Sequence, residues 1–296
     1  LLTRRETLLD KSALCAILYA SGYRGELPKP KVQEPTQRWT GKQAFSMLLP
    51  KEFNFVTRAS ICHKCDKCKE DDCQYDAYVV IKKGKLVSGV IDQASIGAEK
   101  SETLLHRVIR DYGSKTGQEF LISVVRMISA FIQMRGFTYS YEDLLLPDDK
   151  REKIDETVRS VNDKVSKIIQ DYRSGVLERI RGLSPEESLE AFIMDALSEI
   201  RTKAGNIASR SLGLENSGVV MTRTGARGSE LNIGHMIACL GQQHVRGQRI
   251  NRGYFERALP HFKPGDIGPL ARGFIPSNFL TGLKPTEFFY HAMGGR

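Results

Sequence analysis

The apolar spacing between residues 154 and 172 constrains this chain more than any other feature. Ile154, Val158, Val161, Val165, Ile168 and Tyr172 follow one another at intervals of 4, 3, 4, 3 and 4. Alternating threes and fours keep one narrow stripe on a single helix face, because their mean lies close to one helical turn. The positions between them are mostly charged or polar, so only that seam can be buried. Ser184-Pro185-Glu186-Glu187 then has the form of a capping box with proline at the first helical position. Leu189, Phe192, Ile193, Ala196, Leu197, Ile200 and Ala204 continue it as a second amphipathic helix. About ten residues join the two, a connection short enough to make them antiparallel neighbours. The sequence therefore predicts a projecting helical hairpin, either a plain structural element or a surface on which a partner docks.

Charge sets this hairpin apart from its flanks. Residues 142–200 carry 15 acidic and 9 basic side chains, whereas 1–141 carry 15 and 22, and 201–296 carry 5 and 13. The net charge of +9 suits a phosphate-bearing partner through long-range attraction, or serves solubility alone. A content of 41% hydrophobic and 27% charged residues excludes global disorder. The longest apolar run, 120–132, is broken by Arg126 and is too short for a membrane span. No signal-peptide pattern opens the sequence, and the absence of an initial methionine suggests a piece of a longer polypeptide.

Ahead of the hairpin, Leu8, Leu14, Ile17 and Leu18 suggest a helix over Thr3–Tyr19, followed by a connector bearing Pro28, Pro30 and Pro35. Thr40 is a candidate N-cap for a short helix that Pro50 ends. Residues 77–82 and 85–91 read as strands of a hairpin turned at Lys83-Gly84. Ser101 is a candidate cap for a helix over Glu102–Tyr112, and a second helix is expected over Gln118–Arg135. Beyond Val219, frequent glycines in a basic segment suggest loops held against other surfaces.

Cys62-x2-Cys65-x2-Cys68-x4-Cys73 places four thiols within twelve residues. Thiolates at this spacing can converge on one tetrahedral ion, with Lys64, Lys67 and Lys69 offsetting their charge, and His63 is a spare ligand. The prediction is a structural zinc site. A disulfide, for example across Cys68 and Cys73, and reduced surface thiols are the alternatives. Cys15 and Cys239 stand in apolar helical contexts and are expected to be buried. Thr224-Gly225-Ala226-Arg227-Gly228-Ser229 is a glycine-flanked basic loop that could hold phosphate on its amides or form an ordinary turn. Gln242-Gln243 with Arg246, Arg249 and Arg252 could read nucleic acid or face solvent. Glu142-Asp143 and Asp148-Asp149 read as a solvated loop. The sequence contains no phosphate-loop, zinc-protease or nucleophile-elbow motif. On residues alone it describes a binding or scaffolding segment. One version is a free-standing basic nucleic-acid-binding helical module with a zinc knuckle, and another is a coiled-coil adaptor.

Several stretches taken together go further. They are Trp39-Thr40-Gly41-Lys42-Gln43, the run from Thr224 to Ile233, Gly241-Gln242-Gln243, Leu259-Pro260-His261-Phe262, and the run from Gly282 to Arg296. With the opening Leu1–Arg5 and Gly89–Asp92, the chain resembles the largest subunit of multi-subunit DNA-directed RNA polymerases along essentially its whole length. The cysteine insertion before Asp76 makes it most similar to the archaeal-type A-prime subunit.

This resemblance implies an α+β, mainly α fold. It assigns 1–140 to a pore domain with a small β element, and 141–265 to a funnel domain built on the helical hairpin. Residues 266–296 become a connector and the start of the bridge helix. It implies a segment lining the secondary channel, through which nucleoside triphosphates enter and backtracked RNA leaves. The channel residues would be Arg227, Arg201, Gln242, Gln243, His291 and Arg296. Implied partners are the other polymerase subunits, template DNA, RNA, nucleoside triphosphates and a transcript-cleavage factor at the funnel. The implied setting is cytoplasmic, without a membrane. The family's aspartate-rich magnesium motif is not in this sequence. No catalytic residue is therefore expected here, magnesium belongs outside the segment, and the segment alone should be inactive.

Overall fold

The computed structural model describes residues 1–62, 73, 75–97 and 101–295, without the side chains of 201, 202, 209 and 210. The described part is mainly helical with small antiparallel sheets, and it divides into two compact units. Unit one holds Leu1–Thr138 and Met221–Arg227, and unit two holds Tyr139–Val220 and Gly228–Arg296.

In unit one, β1 (Leu8–Leu9) pairs antiparallel with β2 (Trp39–Thr40), and α1 (Lys11–Ser21) lies between them in sequence. The helix expected over Thr3–Tyr19 is corrected here. Leu8 and Leu9 are spent on a strand whose partner is Trp39–Thr40, and α1 starts only where the Asp10 carboxylate accepts the Ala13 N–H at 2.7 Å. Cys15, expected to be buried, is exposed on this helix.

The Trp39-Thr40-Gly41-Lys42-Gln43 run works as a corner. Trp39 is buried and donates its indole N–H to the Pro28 carbonyl at 2.7 Å. Thr40 caps α2 (Gly41–Ser46) in a reciprocal box with Gln43. Lys42 donates from Nζ to the Asp76 carboxylate at 2.6 Å, and the other Asp76 oxygen accepts the Gly89 N–H at 2.8 Å.

A three-stranded sheet of β3 (Phe55–Arg58), β4 (Tyr78–Lys82) and β5 (Lys85–Ser88) has β4 at its centre. Lys83-Gly84 makes the turn between β4 and β5, as the sequence predicts. Asp92 caps α3 (Gln93–Ile96), and α4 (Leu104–Tyr112) and α5 (Ser114–Arg135) complete the unit. Both long helices differ from expectation at their starts. Thr103 rather than Ser101 precedes α4, and α5 begins four residues before Gln118. Phe120 and Val124 of α5 join the core under the sheet, whereas Met127 and Phe131 join a second core against α1.

Unit two is organised by α6 (Asp148–Arg173) and α7 (Pro185–Leu212). Ile154, Val161 and Val165 of the predicted seam are buried, and Val158, Ile168 and Tyr172 pack at its margin. They meet Leu189, Ile193, Ala196, Leu197 and Ile200 of α7. Ser184 and Glu187 form the predicted capping box. Asp148 and Asp149 open α6 rather than lying in a loop, where their charge suits the positive end of the helix. Asp143 is likewise not simply solvated, since its side chain accepts the backbone N–H groups of Ser140 and Ser217.

After α8 (Ser217–Arg223), α9 (Glu230–Ile237) crosses α7 where two glycines meet. A Cβ on Gly234 would sit 3.2 Å from the Gly205 Cα, so Gly234 has no room for a larger residue without a shift. Short strands β6 (Gly241–Gln242), β7 (His244–Val245), β8 (Gln248–Arg249) and β9 (Phe274–Ile275) follow, pairing β6 with β9 and β7 with β8. The last element is α10 (Pro285–Gly294). Among the described residues, no helix is long and apolar enough to cross a membrane.

Candidate functional site

The structure brings Gln242, Gln243 and His291 together in unit two. Pairing of β6 with β9 sets Gly241 opposite Ile275 and Gln242 opposite Phe274. Gln242 is buried, and its amide nitrogen donates to the Gln243 and Arg272 carbonyls, both at 2.8 Å. Its Oε1 is buried with no hydrogen-bond partner among the described residues. Gln243 faces α10, with Oε1 3.3 Å from His291 Nδ1. The amide nitrogen of Gln243 points to the Leu240 and Gly241 carbonyls, which leaves its oxygen to accept. His291 therefore donates from Nδ1, and Nε2 is the atom free to accept when the ring is neutral. The imidazole also stands edge-on to Phe279, with ring centroids 5.5 Å apart.

Two further side chains hold α10 in place. Glu287 is buried at the third helical position, where it accepts the Lys284 N–H at 2.8 Å and the Ser277 hydroxyl at 3.1 Å. Tyr290 is buried, stacks on Phe262, and donates its hydroxyl to the Ala271 carbonyl at 2.8 Å. Burial pushes its phenol up to about 12, so it remains a donor throughout the physiological range. Arg249 of β8 is tied to α7 instead. Its Nε and Nη2 grip both Glu190 oxygens at 2.8 Å, and Nη2 also reaches the Ile267 carbonyl at 3.0 Å. Its side chain is only 1% exposed, which corrects the expectation of a solvent- or nucleic-acid-facing arginine. Glu287 had a sequence signal in Pro285-x-Glu287, the proline and acidic residue of a helix start. Arg249 had none, because its partner lies 59 residues away.

Arg227 belongs to unit one and is exposed. The loop that carries it is a helix end. Gly225 donates to the Thr222 carbonyl, and Ala226 and Arg227 donate to that of Met221, so these three amides are already paired. Gly225 has φ +72°, and a Cβ there would fall 1.9 Å from Gln93 Oε1. The Gln93 N–H donates to the Thr224 carbonyl at 3.1 Å. Of the two readings of this loop, an ordinary turn rather than an amide cradle is what 225–227 form, a C-cap closed on Gln93, and the Arg227 guanidinium is the group left to meet an anion. Arg201 lies on α7 with its side chain outside the described residues, as is Arg296 entirely.

Of the four clustered cysteines, Cys62 and Cys73 are described, whereas Cys65 and Cys68 lie outside the described residues. The Ala59 N–H donates to the Ala77 carbonyl at 2.8 Å, extending the pairing of β3 and β4 to the foot of this loop. Cys73 is buried, its sulfur accepts the Ala77 N–H at 3.4 Å, and its carbonyl accepts from Arg5 at 3.1 Å. The backbone N–H fixes the direction of the Cys73 sulfur, and sulfur is a donor suited to a soft cation. Among the described residues no group of three or more His, Cys, Asp or Glu converges. Cys239 is buried, and desolvation pushes its thiol up to about 11.

Comparison with known proteins identifies the lineage. The profile for RNA polymerase Rpb1, domain 3, matches residues 1–144, and that for RNA polymerase Rpb1, domain 4, matches residues 168–275. The DNA-directed RNA polymerase subunit Rpo1N of Methanocaldococcus jannaschii is 47% identical over 297 residues, covering all of this chain and 22% of that protein. The Rpo1N subunit of Sulfolobus acidocaldarius is 44% identical over 296 residues, again covering all of this chain and 34% of the relative. The DNA-directed RNA polymerase III subunit rpc1 of Schizosaccharomyces pombe is 33% identical over 309 residues, which is 22% of its length. The chain thus spans between about a fifth and a third of the curated relatives it matches. Similarity along the entire chain does not favour a free-standing nucleic-acid-binding module. With two adjoining domain profiles and whole-chain identity to these subunits, the chain belongs to the family of largest subunits of DNA-directed RNA polymerase, as a segment of their N-terminal part.

Proposed function

We propose that this segment lines the secondary channel of an archaeal-type RNA polymerase and positions the start of the bridge helix, supporting DNA-templated RNA synthesis in the assembled enzyme. The observation that carries this reading is the Gln243–His291 contact, which fastens α10 to the β6–β9 pair. In this view 1–140 form the pore, 141–265 the funnel, and 266–296 the connector and first turns of the bridge helix. Arg227 draws triphosphates by charge, and Gln242, Gln243 and His291 transmit the position of α10 to the funnel. Arg201 and Arg296 extend the same channel. The hairpin of α6 and α7 receives a transcript-cleavage factor, and template, transcript and the remaining subunits surround the segment in the cytoplasm.

Cys62, Cys65, Cys68 and Cys73 would hold a structural zinc ion, which would clamp the foot of the β3–β4 pair. Magnesium would supply the nucleotidyl-transfer chemistry from outside the segment.

The test is elongation by assembled polymerase carrying Arg227→Ala or His291→Ala. Arg227→Ala should raise the KM for nucleoside triphosphates by about threefold at low salt with little change in kcat. His291→Ala should lower kcat at saturating substrate. Wild-type elongation by both variants at limiting and saturating substrate would overturn the reading.

A further inference from the structure

α5 carries two apolar faces, and its own unit uses one. Phe120, Val124, Met127 and Phe131 are buried. Leu121, Val125 and Ile128 are exposed, Val125 at 55%, and Ile132 continues their line half-buried against the unit's own core. These four follow one another at intervals of 4, 3 and 4. That is the interval pattern by which α6 seats against α7, and it marks a seam shaped for another helix. Ile109 of α4 lies against Gly117 and extends the exposed strip by a turn. A contiguous apolar strip of this kind is a contact surface, because scattered exposed side chains do not fall on one helical line.

Charge indicates what covers it. Lys115, Arg126 and Arg135 are exposed on α5, and none makes an ion pair with another described residue. Glu119 is the single carboxylate on the helix. A partner helix flanked by acidic side chains would meet both the seam and the cations. The relatives are about three to four and a half times the length of this chain, so most of the length of such a subunit lies outside the structure and can supply such an element.

We infer that the outer face of α5 is an assembly surface that receives an acidic-flanked amphipathic helix from elsewhere in the polymerase. This rests on the proposal that the chain functions inside that enzyme.

The experiment assembles the polymerase from recombinant subunits with this segment wild type, Val125→Glu/Ile128→Glu, or Val125→Cys. Both glutamates enter at exposed positions. Trp39, the sole tryptophan and buried in the same unit, should keep its emission and so report an intact fold. The double variant should assemble at least about tenfold less well. Maleimide should label Val125→Cys at least about tenfold more slowly in the polymerase than in the isolated chain. Arg126→Glu should weaken assembly most at low salt. Wild-type assembly by the double variant, equal labelling of Val125→Cys in both states, or cross-linking of that cysteine to a second copy of this chain would each overturn the inference. Should the double variant lose the Trp39 signal, the labelling comparison alone decides. Failure of the wild-type segment to enter a polymerase would instead refute the proposed function.

Discussion

The Arg249–Glu190 pair yields the sharpest energetic prediction, because its two partners differ so much in exposure. The Arg249 side chain is 1% exposed and that of Glu190 is 39%. Two charge-assisted hydrogen bonds at 2.8 Å join them, and Arg249 Nη1 is buried with no partner among the described residues. Glu190→Ala leaves a buried guanidinium with the Ile267 carbonyl as its remaining acceptor. Breaking a fully buried pair in this way costs about 3–5 kcal/mol. The partial exposure of Glu190 admits water and reduces this to about 2–3 kcal/mol. Arg249→Met removes the buried charge, refills much of the volume, and returns Glu190 to solvent, so its cost should be about 1 kcal/mol. Urea unfolding followed by circular dichroism at 222 nm would give both values, and hydrogen exchange would localise the loss to the first turns of α7 and to residues 248–250. The reasoning fails if Arg249→Met costs as much as Glu190→Ala, since the asymmetry follows directly from which charge is desolvated.

Three other outcomes are expected. Burial raises the Asp92 carboxyl above its ordinary value, against the hydrogen bonds it accepts from Ser60 and Ser95. The native state therefore takes up this proton before the unfolded chain does. Its contribution to stability is greatest below the unfolded value and falls as pH rises through the native one. Asp92→Asn should flatten the urea midpoint across that interval, and an unchanged pH slope would contradict it. Gly225→Ala forces a side chain into φ +72° and against Gln93, and should cost about 1–2 kcal/mol in the same urea assay. At pH 8 Cys239, with its thiol near 11, should resist alkylation in the native chain while exposed Cys15 reacts, as peptide mapping would show.

What the sequence revealed depended on how far apart the interacting residues lie. The α6–α7 hairpin was legible because its seam and its capping box are local patterns, and the Lys83-Gly84 turn was legible for the same reason. Leu8-Leu9 looked helical because nothing nearby marks a strand whose partner is Trp39-Thr40. The glycine loop at 224–229 left a phosphate cradle and an ordinary turn open, because composition does not carry the fact that the amides of 225–227 are taken by the end of α8. Gln242 and Gln243 were picked out by resemblance. Their partners at Arg272 and His291 depend on β6 pairing with β9 and on α10 folding back. Arg249 was misjudged for a simple reason: an arginine among other arginines looks solvated until its carboxylate is found.

The course of the backbone through α8 sets a practical limit on dissecting this molecule. Val220 closes one side of that helix with unit two, and Met221 begins the seven residues that belong to unit one. The chain therefore changes allegiance in the middle of a helical turn and changes back after Arg227. No single cleavage point separates the two units. A truncation at Thr138 would leave unit one without the strap that closes on Gln93. A graft beginning at Tyr139 would import seven residues evolved for a different core. Chimeras between polymerases should exchange the pair as a whole, or splice residues 221–227 with the first unit.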